Sequence, residues 1–329
     1  MVNFLSLPLV TIAIPFHNTQ KYIGSCLDSV VSQDYDKLDI LLCDDSSTDK
    51  SASIVSEYCS KDKRIRLIKC IGMGPADARN SLLKESRGDY IFFVDSDDTL
   101  PVNAVKDMLK LIGDHDMAMC GYTPFFACEN REGRQRFVKE GILDSRSAIH
   151  DFFLTDANRY GHMWGKLIKK DVLVGLEFPK VELYEDIAFL PKLIERLSSC
   201  VVTAESYYFY RIHTESSSFD EDMKKQVVGL KVRMDNVNFY ETRYPELSDA
   251  ARLSALDFAF FLLGRMDRSG KAGTCPEWDY ALETTAKLLR EAQVIKGMYR
   301  VASILFGLSP RLAAKAFRIY SMKRNHTDR

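Results

Sequence analysis

Three carboxylates stand together directly after an apolar segment of the chain. Asp95, Asp97 and Asp98 follow the apolar residues 90–94. Carboxylates packed this closely repel one another, and removing them from water is costly unless a cation neutralises them. A hard divalent ion such as Mg²⁺ or Mn²⁺, shared with the phosphates of a substrate, would supply that neutralisation. The same residues also suit a solvated turn that begins the next helix, so the pattern permits both interpretations.

A second acidic cluster occupies residues 44–49 and also follows an apolar run. Its Ser, Thr and Asp side chains are suited to capping the helix that follows. Capping needs only one or two of these residues. Asp45 is therefore a candidate for binding a ligand.

Two known classes of enzyme have motifs that match part of the acidic and glycine-containing segments. Residues 95–99 read D-x-D-x-T, as in haloacid-dehalogenase-like phosphohydrolases, where one carboxylate is the nucleophile and the other the acid/base. That family places this strand at the start of its core, whereas other strand–helix units precede it here, and Asp45 and Arg79 would have no role. Gly72 and Gly74 lack the third glycine and the position of a dinucleotide-binding turn, which excludes nicotinamide chemistry.

Alternating strand and helix patterns precede and follow these clusters. The apolar periodicity predicts strands at residues 9–14, 38–43, 65–71, 90–94 and 117–122, and helices at 21–33, 49–59, 76–85 and 102–112. This alternation predicts an α/β fold with a mostly parallel, doubly wound sheet. Because ligands bind beyond the carboxyl ends of such strands, the two acidic clusters are expected to meet at one edge of the sheet.

The second half of the chain has a different pattern. Residues after about 125 are irregular, and helical periodicity returns at 223–240, 247–266, 278–292 and 298–322, the last interrupted at Ser309 and Pro310. We therefore predict two domains, a catalytic domain at residues 1–220 and a helical domain at residues 221–329.

Charge and composition limit the partners. Lys and Arg number 45 against 46 Asp and Glu, so no overall basic field favours nucleic acid. The segment from residue 287 onward nevertheless holds ten basic and two acidic residues. Basic residues interleaved with apolar ones suit a helical pair lying on an anionic membrane, and they suit the solvated face of an ordinary packed helix equally well.

Cellular location is predicted from cysteines and apolar runs. The eight cysteines are scattered without paired metal spacing, which favours a reducing compartment. The N-terminal residues lack the pattern of a signal peptide, and the chain has no apolar run long enough to span a bilayer. We expect a cytoplasmic protein, with the inner face of the cell membrane as a candidate peripheral site.

Together these motifs resemble glycosyltransferase family 2, whose members have the GT-A fold and invert the configuration of the transferred sugar. The matching stretches are VTIAIPFHN at 10–18, SVVSQDY at 29–35, DDSSTD at 44–49, ARN at 78–80, GDYIFFVDSDDTLP at 88–101 and LYEDIAF at 183–189. The resemblance covers roughly residues 8–215, is highly specific because the stretches occur in this order, and includes small bacterial members of the family.

The resemblance implies a nucleotide pocket and a metal site. Pro15, Asp45 and Arg79 would line the pocket, with Asp45 accepting a hydrogen bond from the imide of the base. Asp97 would hold the Mn²⁺ or Mg²⁺ ion, and Asp95 would bind the ribose and the edge of the metal. Further residues are implied with smaller roles: Asp98 and His213 as additional metal ligands, Trp164 stacking on the sugar, and Lys166 and Arg211 gripping phosphate.

The resemblance also implies the base and the reaction. Asp186 would deprotonate the acceptor hydroxyl, with Glu185 beside it as the next candidate. The expected enzyme is a hexosyl- or N-acetylhexosaminyl-transferase that moves a sugar from a nucleotide-diphospho-sugar, most simply UDP-linked, to a glycan or lipid-linked acceptor in bacterial surface-polysaccharide assembly. A non-catalytic scaffold relative is the remaining alternative, and an oligomer is left open.

Overall fold

The computed structural model describes residues 7–126, 131–133, 139–155, 160–213, 222–293 and 297–327, with residues 131–132 and 320–327 described by their backbone alone. The chain forms two compact units, and neither is continuous in sequence. The first comprises Met1–Ile149, His162–Lys180 and Phe189–Thr214, and the second comprises His150–Gly161, Val181–Ala188 and Glu215–Arg329. The boundary near residue 220 stays a prediction, and the second unit also takes in two short earlier segments.

Strands and helices alternate through the first part of the chain. The order is β1 (Val10–Phe16), α1 (Ile23–Val31), β2 (Leu38–Asp44), α2 (Ser51–Lys61), β3 (Ile65–Lys69), α3 (Pro75–Glu85), β4 (Tyr90–Phe93), α4 (Ala104–Ile112) and β5 (Met117–Phe126). The strands are rich in β-branched and aromatic residues, and the apolar residues of α1 and α4 recur at helical spacing, so local pattern and structure agree here.

The remaining elements are shorter strands followed by helices. They are β6 (Arg131–Glu132), β7 (Gly141–Leu143), α5 (Arg146–Thr155), β8 (Lys166–Lys169), α6 (Lys170–Leu173), α7 (Glu185–Ile194), β9 (Cys200–Ile212), α8 (Met223–Arg243), a 3₁₀ turn (Pro245–Leu247), α9 (Ser248–Arg268), α10 (Pro276–Glu291), α11 (Gly297–Leu308) and α12 (Pro310–Thr327). The four predicted C-terminal helices are present, and the last is divided where Ser309 and Pro310 interrupt the pattern.

The strands of the first unit form one mixed, mostly parallel sheet in the order β3-β2-β1-β4-β8-β5-β9-β7, with β6 paired to β5. Strands β1 to β4 run parallel to one another. β8 is antiparallel to both β4 and β5, and β9 is parallel to β5. The predicted α/β class with a mostly parallel sheet is confirmed.

A polar network ties the beginnings of the first strands together. The Asp39 carboxylate accepts two hydrogen bonds from the Arg66 guanidinium, at 2.7 and 3.0 Å, and one from the Thr11 hydroxyl at 2.8 Å. The Thr11 hydroxyl in turn accepts from the Gly88 amide at 2.8 Å. A Cβ at Gly88 would lie 2.4 Å from the Thr11 backbone nitrogen, so only glycine fits this close approach. The network links β1, β2 and β3 to the turn before β4.

The second unit is helical, and two apolar cores are formed by its described residues. One core includes Leu230 of α8, Leu262 of α9 and Trp278 of α10, and the other includes Phe260 of α9 and Phe317 of α12. Within the described residues, no helix is both long enough and apolar enough to cross a bilayer.

Candidate functional site

The carboxyl ends of β1, β2 and β4 lie at one edge of the sheet, as the sequence pattern predicts. β1 lies between β2 and β4, and both pair with it in parallel. Pro15, near the end of β1, is in register with Cys43 of β2. Asp45 directly follows β2, and the acidic triplet that begins at Asp95 comes just after β4.

The loop after β2 is held by hydrogen bonds from two neighbouring loops. Both carboxylate oxygens of Asp45 accept from the Gly74 amide, at 2.9 and 3.0 Å, at the point where α3 begins. His17 Nδ1 lies 2.6 Å from the Asp45 carbonyl oxygen. The Asn18 side-chain oxygen accepts from the Thr48 amide at 2.8 Å. These contacts fix the position of Asp45, whose oxygens keep further lone pairs for a ligand.

Two of the carboxylates that follow β4, those of Asp95 and Asp97, are each paired with a basic side chain from another part of the chain. Arg79, on α3, donates from Nη2 to Asp95 Oδ1 at 3.3 Å. His213, directly after β9, places Nε2 2.8 Å from Asp97 Oδ2, while Tyr22 packs against its ring with 4.4 Å between ring centroids. Both carboxylates are partly exposed, whereas Arg79 and His213 are nearly covered.

Asp98 has a different environment from its two neighbours. It is 1% exposed, and its carboxylate accepts from the Tyr208 hydroxyl at 2.7 Å and from the Arg211 amide at 2.6 Å. Burial, reinforced by the charges of Asp97 and Asp95, raises the pKa of Asp98 well above its usual range. The Tyr208 hydroxyl also accepts from the Asp95 amide at 3.0 Å. Asp98 and Tyr208 therefore join β9 to the turn that carries Asp95 and Asp97.

Arg211 is aimed at the same turn. Its Nε donates to the Asp97 carbonyl oxygen at 2.6 Å, and its Nη2 lies 3.3 Å from the Ser25 hydroxyl. The guanidinium also lies over the rings of Tyr22 and Phe125, at 5.4 and 5.2 Å from their centroids. A fixed, half-buried positive charge beside an acidic turn suits the recognition of phosphate.

Trp164 and Lys166 are covered by other parts of the first unit. Trp164 is 7% exposed and stacks with Tyr208 and His162, at 4.6 and 4.9 Å between centroids. Lys166 is 2% exposed, and its ammonium donates to the His162 carbonyl oxygen. The expected contacts of these residues with sugar and phosphate would require both side chains to leave these positions, because their polar and aromatic surfaces are engaged here.

Glu185 and Asp186 begin α7 and belong to the second unit. Glu185 is buried, whereas Asp186 is partly exposed, and the Asp186 carboxylate accepts from the Ile187 amide at 2.8 Å. Tyr184, just before the helix, has a positive φ of 68°. The predicted base is thus placed at a helix N-terminus, where the helix dipole stabilises negative charge.

The donor set fits a divalent cation that is shared with a substrate. Among the described residues, no three His, Cys, Asp or Glu side chains are gathered to hold a metal ion. Asp97 and His213 nevertheless offer adjacent oxygen and nitrogen donors, and Asp95 is two residues away. A Mg²⁺ or Mn²⁺ ion is commonly bound by one or two protein carboxylates together with phosphates and water, which suits this small set.

Two contributors to this edge were not identified from the sequence. The Tyr208 hydroxyl donates to Asp98, and the Gly74 amide donates to Asp45. Both carboxylates are among the predicted site residues. Tyr208 lies within the tyrosine-rich stretch 207–210, which was a detectable signal, but its partner Asp98 is 110 residues away along the chain. No local pattern links residues so far apart in sequence.

Comparison with known proteins agrees with this fold. The chain matches the family model described as Glycosyl transferase family 2 over residues 11–173. An uncharacterized glycosyltransferase of Haemophilus influenzae is 31% identical over 216 residues, which cover 65% of this chain and 83% of that protein. Glycosyltransferase GlyA of Streptococcus pneumoniae is 32% identical over 221 residues, which cover 64% of this chain but only 31% of GlyA.

Solved structures support the fold. Staphylococcus aureus TarS, crystallised as residues 1–349 in complex with UDP-GlcNAc, superposes with a TM-score of 0.61 and 19% identity, covering 96% of this chain and 92% of the TarS chain. The architecture is therefore that of the α/β GT-A glycosyltransferases with C-terminal helices. The chain belongs to glycosyltransferase family 2. The predicted family, fold and class of enzyme are confirmed, and the haloacid-dehalogenase-like alternative does not agree with them.

Proposed function

We propose that the protein is a divalent-metal-dependent, inverting glycosyltransferase that uses a UDP-sugar. The observation that carries the proposal is the set of pairs at the end of β4, Asp95 with Arg79 and Asp97 with His213, in a chain of this family. This edge presents carboxylates, an imidazole and two guanidinium groups together. Such a combination is suited to a cation and the diphosphate that it neutralises.

The donor would be held by residues from several strand ends. Pro15, Asp45 and Arg79 form the proposed nucleotide pocket, with Asp45 accepting from the imide N–H of uracil. Arg211 would bind the diphosphate, and the hydrogen bond from its Nε to the Asp97 carbonyl oxygen supports this role. In this arrangement Trp164 would hold Tyr208 in place by stacking on its ring, and Lys166 would hold the His162 backbone through its hydrogen bond to the carbonyl oxygen.

Asp97 would be the main metal ligand, with Asp95 at its edge and His213 as the nitrogen donor. When bound, the cation neutralises the diphosphate so that it can depart as UDP. Asp98 would keep its present partners, Tyr208 and the Arg211 amide, and so hold the turn in place.

The acceptor would react through its hydroxyl group. Asp186 takes the proton from this hydroxyl as the oxygen attacks the anomeric carbon from the face opposite the diphosphate. The new carbon–oxygen bond forms while the bond to the diphosphate breaks, which inverts the anomeric configuration. The products are the glycosylated acceptor and UDP, and the proton remains on Asp186 until it passes to water.

The test has two steps. UDP-, GDP- and dTDP-sugars are first screened with Mn²⁺ for thermal stabilisation of the protein, and the UDP-sugars are expected to stabilise it most. Release of UDP is then measured for the wild type, for Asp186→Asn and for the control Glu182→Gln, an exposed carboxylate nearby. Asp186→Asn should lower turnover by about 10²–10⁴-fold with donor affinity nearly unchanged. Normal turnover in this variant would place the base elsewhere, with Glu185 as the next candidate.

The same measurement separates the enzyme from a non-catalytic scaffold relative. A scaffold would bind a nucleotide-sugar without releasing UDP, with or without an acceptor. Family membership leaves the acceptor open, and we propose a glycan or lipid-linked acceptor of bacterial surface-polysaccharide assembly, acting in the cytoplasm.

We also propose that α11 and α12 place the protein on the inner face of an anionic membrane. Residues 297–327 contain six Lys or Arg and no Asp or Glu. The exposed apolar residues of α11 are Val301, Ile304 and Leu308, which share one face of the helix at spacings of three and four. An apolar face in a segment of this charge is the pattern of helices that lie in a membrane interface.

The exposed surface of α12 has a basic edge and an apolar edge. Arg311, Lys315 and Arg318 follow one side, and Leu312 and Ile319 follow the other. The Ala314 Cβ lies 4.0 Å from the position that a Cβ at Gly264 of α9 would occupy. Ala314 is therefore on the side of α12 that packs on α9. The apolar edge, Leu312 and Ile319, lies further from this packed side than the basic edge does. We propose that it forms one apolar surface with the exposed face of α11. Two such basic surfaces would repel each other, which favours anionic lipid over a second copy of the chain.

A further inference from the structure

One face of α8 contacts the segment that carries the proposed base. Gln226, Gly229, Arg233 and Asn236 are spaced by three, four and three residues, so they form a single stripe along the helix. Each of them contacts Tyr184 or Ile187, the residues on either side of Glu185 and Asp186. We call these four residues the α8 stripe.

The first contacts of the stripe hold Tyr184. Its hydroxyl donates to the Gln226 side-chain oxygen at 2.7 Å, and Gln226 is fully buried. Its ring lies directly over Gly229, where a Cβ would meet ring carbon Cε2 at 2.6 Å and the ring of Phe258 at 2.7 Å. Glycine is therefore required at 229 for the ring to occupy this place, even though glycine in a helix interior costs about 1 kcal/mol relative to alanine.

The remaining contacts hold the backbone on the other side of the base. The Asn236 amide donates to the Ile187 carbonyl oxygen at 3.1 Å. Because Tyr184 has a left-handed backbone at φ 68°, the chain turns sharply into α7, and this strained conformation persists only where its surroundings enforce it. The stripe provides that enforcement on both sides of Glu185 and Asp186.

Arg233 adds a buried positive charge beside this segment. It is 3% exposed, donates from Nη1 to the Gly229 carbonyl oxygen at 3.1 Å, and lies 4.0 Å from the Phe258 ring centroid and 5.3 Å from that of Tyr184. Burial lowers the pKa of Arg233 to about 10, while the nearby Tyr184, Asp186 and Asp257 act in the opposite direction. Arg233 therefore stays charged at neutral pH, and Asp186 is among the charges that it faces.

We propose that the α8 stripe positions the Asp186 carboxylate for proton transfer, with the buried positive charge of Arg233 beside the segment that carries this carboxylate. This inference rests on the proposed function of Asp186 as the base. The members of the stripe are positioning residues, since they act through the segment 184–187 and are not assigned to the substrate. The helical unit would thus contribute directly to the rate of the transfer step.

The first experiment compares Gly229→Ala and Tyr184→Phe with Gly264→Ala. Gly264 is the matched control, because it lies inside helix α9 and a Cβ there has only ordinary contacts of 3.7 Å or more. UDP release from UDP-N-acetylglucosamine with Mn²⁺ is measured, with water as acceptor. Gly229→Ala should lower kcat by about 100-fold and Tyr184→Phe by about tenfold, with the KM for the donor unchanged, and Gly264→Ala should match the wild type.

Amide hydrogen exchange provides a readout that does not depend on turnover. Exchange in residues 184–188 should accelerate in Gly229→Ala and Tyr184→Phe but not in Gly264→Ala. If exchange there is unchanged in both variants, the stripe does not hold the segment and the inference is wrong.

The second experiment uses the pH dependence of kcat with Arg233→Met and Arg233→Lys. Among the described residues, the charged groups that act on Arg233 or Tyr184 include Asp186 on α7 and Asp257 and Arg265 on α9, and Glu185 directly precedes Asp186. Removing the Arg233 charge should move the acid limb of the profile to higher pH, because an ionised base would lose a nearby positive charge, whereas lysine should restore the profile in part. An unshifted limb in Arg233→Met would overturn the role of Arg233.

The outcomes separate the two proposals. If Asp186→Asn retains normal turnover, the proposed base is wrong. If Asp186→Asn is slow while the stripe variants behave as the wild type, the base stands and the positioning inference fails.

Discussion

At the scale of single residues, the three aspartates after β4 differ in what surrounds them. Asp95 is paired with Arg79 and Asp97 with His213, and both remain accessible to solvent. Asp98 is buried against Tyr208 and the Arg211 amide. Asp98 therefore stabilises the turn, whereas the Asp95 and Asp97 carboxylates are accessible at its surface.

The metal assignment predicts the effect of removing one carboxylate. Asp97→Ala should abolish Mn²⁺-dependent binding of UDP while the protein stays folded, because the main oxygen ligand is lost and Asp98 remains engaged. Calorimetric titration of UDP with and without Mn²⁺ measures this. Asp107→Ala, which removes a surface carboxylate paired with Lys110, is the control and should bind as the wild type does. Unchanged metal-dependent affinity in Asp97→Ala would show that the cation binds elsewhere.

The hydroxyl of Tyr208 should matter for stability. Tyr208→Phe keeps the ring that stacks on Trp164 but removes the partner of both the Asp98 carboxylate and the Asp95 amide. Because the Asp98 oxygen that accepts from Tyr208 and the Asp95 amide both lose this partner, the free energy of unfolding should fall by about 2 kcal/mol. Urea denaturation of this variant is compared with that of Tyr207→Phe, a change at the neighbouring and more exposed tyrosine. Equal stability of the two variants would mean that the hydroxyl bridge contributes little.

At the scale of elements, the sheet is tied at both ends by polar groups. The carboxyl ends carry the proposed site, and the opposite ends carry the network of Thr11, Asp39, Arg66 and Gly88. A buried carboxylate with a two-pronged guanidinium partner stabilises the native state only while it is ionised. We therefore expect the strand pairing that positions the proposed site to weaken in acid.

Asp39 makes this sensitivity measurable. Burial acts to raise the pKa of Asp39, but the hydrogen bonds and charge of Arg66 and the Thr11 hydroxyl outweigh it, so the folded-state pKa is lowered. The stabilising contribution is complete above the unfolded-state pKa of about 4 and is lost as the pH falls below it toward the folded-state value. Asp39→Asn should cost about 3 kcal/mol at neutral pH and should flatten the loss of stability in acid.

Chemical denaturation at neutral and acid pH distinguishes these outcomes. Asp34→Asn is the comparison variant, since Asp34 is in an exposed pair with Lys106. An acid dependence in Asp39→Asn as steep as that of the wild type would assign the loss of stability to other carboxylates.

At the scale of the whole molecule, charge is distributed unevenly along the chain. The final segment from residue 287 is strongly basic although the chain is nearly neutral overall. In the structure, residues 297–319 of this segment carry the basic and apolar surfaces of α11 and α12. Attraction to anionic lipid would act at long range and weaken with salt, while the apolar face would act only on contact.

Two double variants separate these contributions to membrane binding. Lys315→Glu with Arg318→Glu should lower the affinity for anionic vesicles by at least about tenfold and reduce its dependence on salt. Ile304→Ser with Leu308→Ser should weaken binding at every salt concentration. Flotation with anionic and with neutral phosphatidylcholine vesicles measures both effects.

The controls change exposed residues elsewhere in the chain. Lys63→Glu with Lys224→Glu, and Val102→Ser with Val174→Ser, should bind anionic vesicles like the wild type. If the intact protein ignores anionic vesicles at low salt, the surface of α11 and α12 is not a membrane-binding surface.

The sequence by itself determined the alternation of β1 to β5 with four helices and the break before Pro310. Periodicity and proline geometry act within a few residues, so they are visible in the chain. The acidic clusters after β2 and β4 could likewise be assigned to one edge, because parallel strands separated by helices place their carboxyl ends together.

Tertiary structure alone decided how the later residues join that edge. His213 meets Asp97 across 116 residues and Tyr208 meets Asp98 across 110, because β9 returns to the sheet beside β5. β8 enters antiparallel between β4 and β5, and its Lys166 is buried where a phosphate contact was expected. The α8 stripe could not be predicted from the sequence either. The proposed role of Gly229 and Arg233 depends on the ring of Tyr184, which packs against both. Contacts between distant segments depend on the packing of whole elements, which no local pattern encodes.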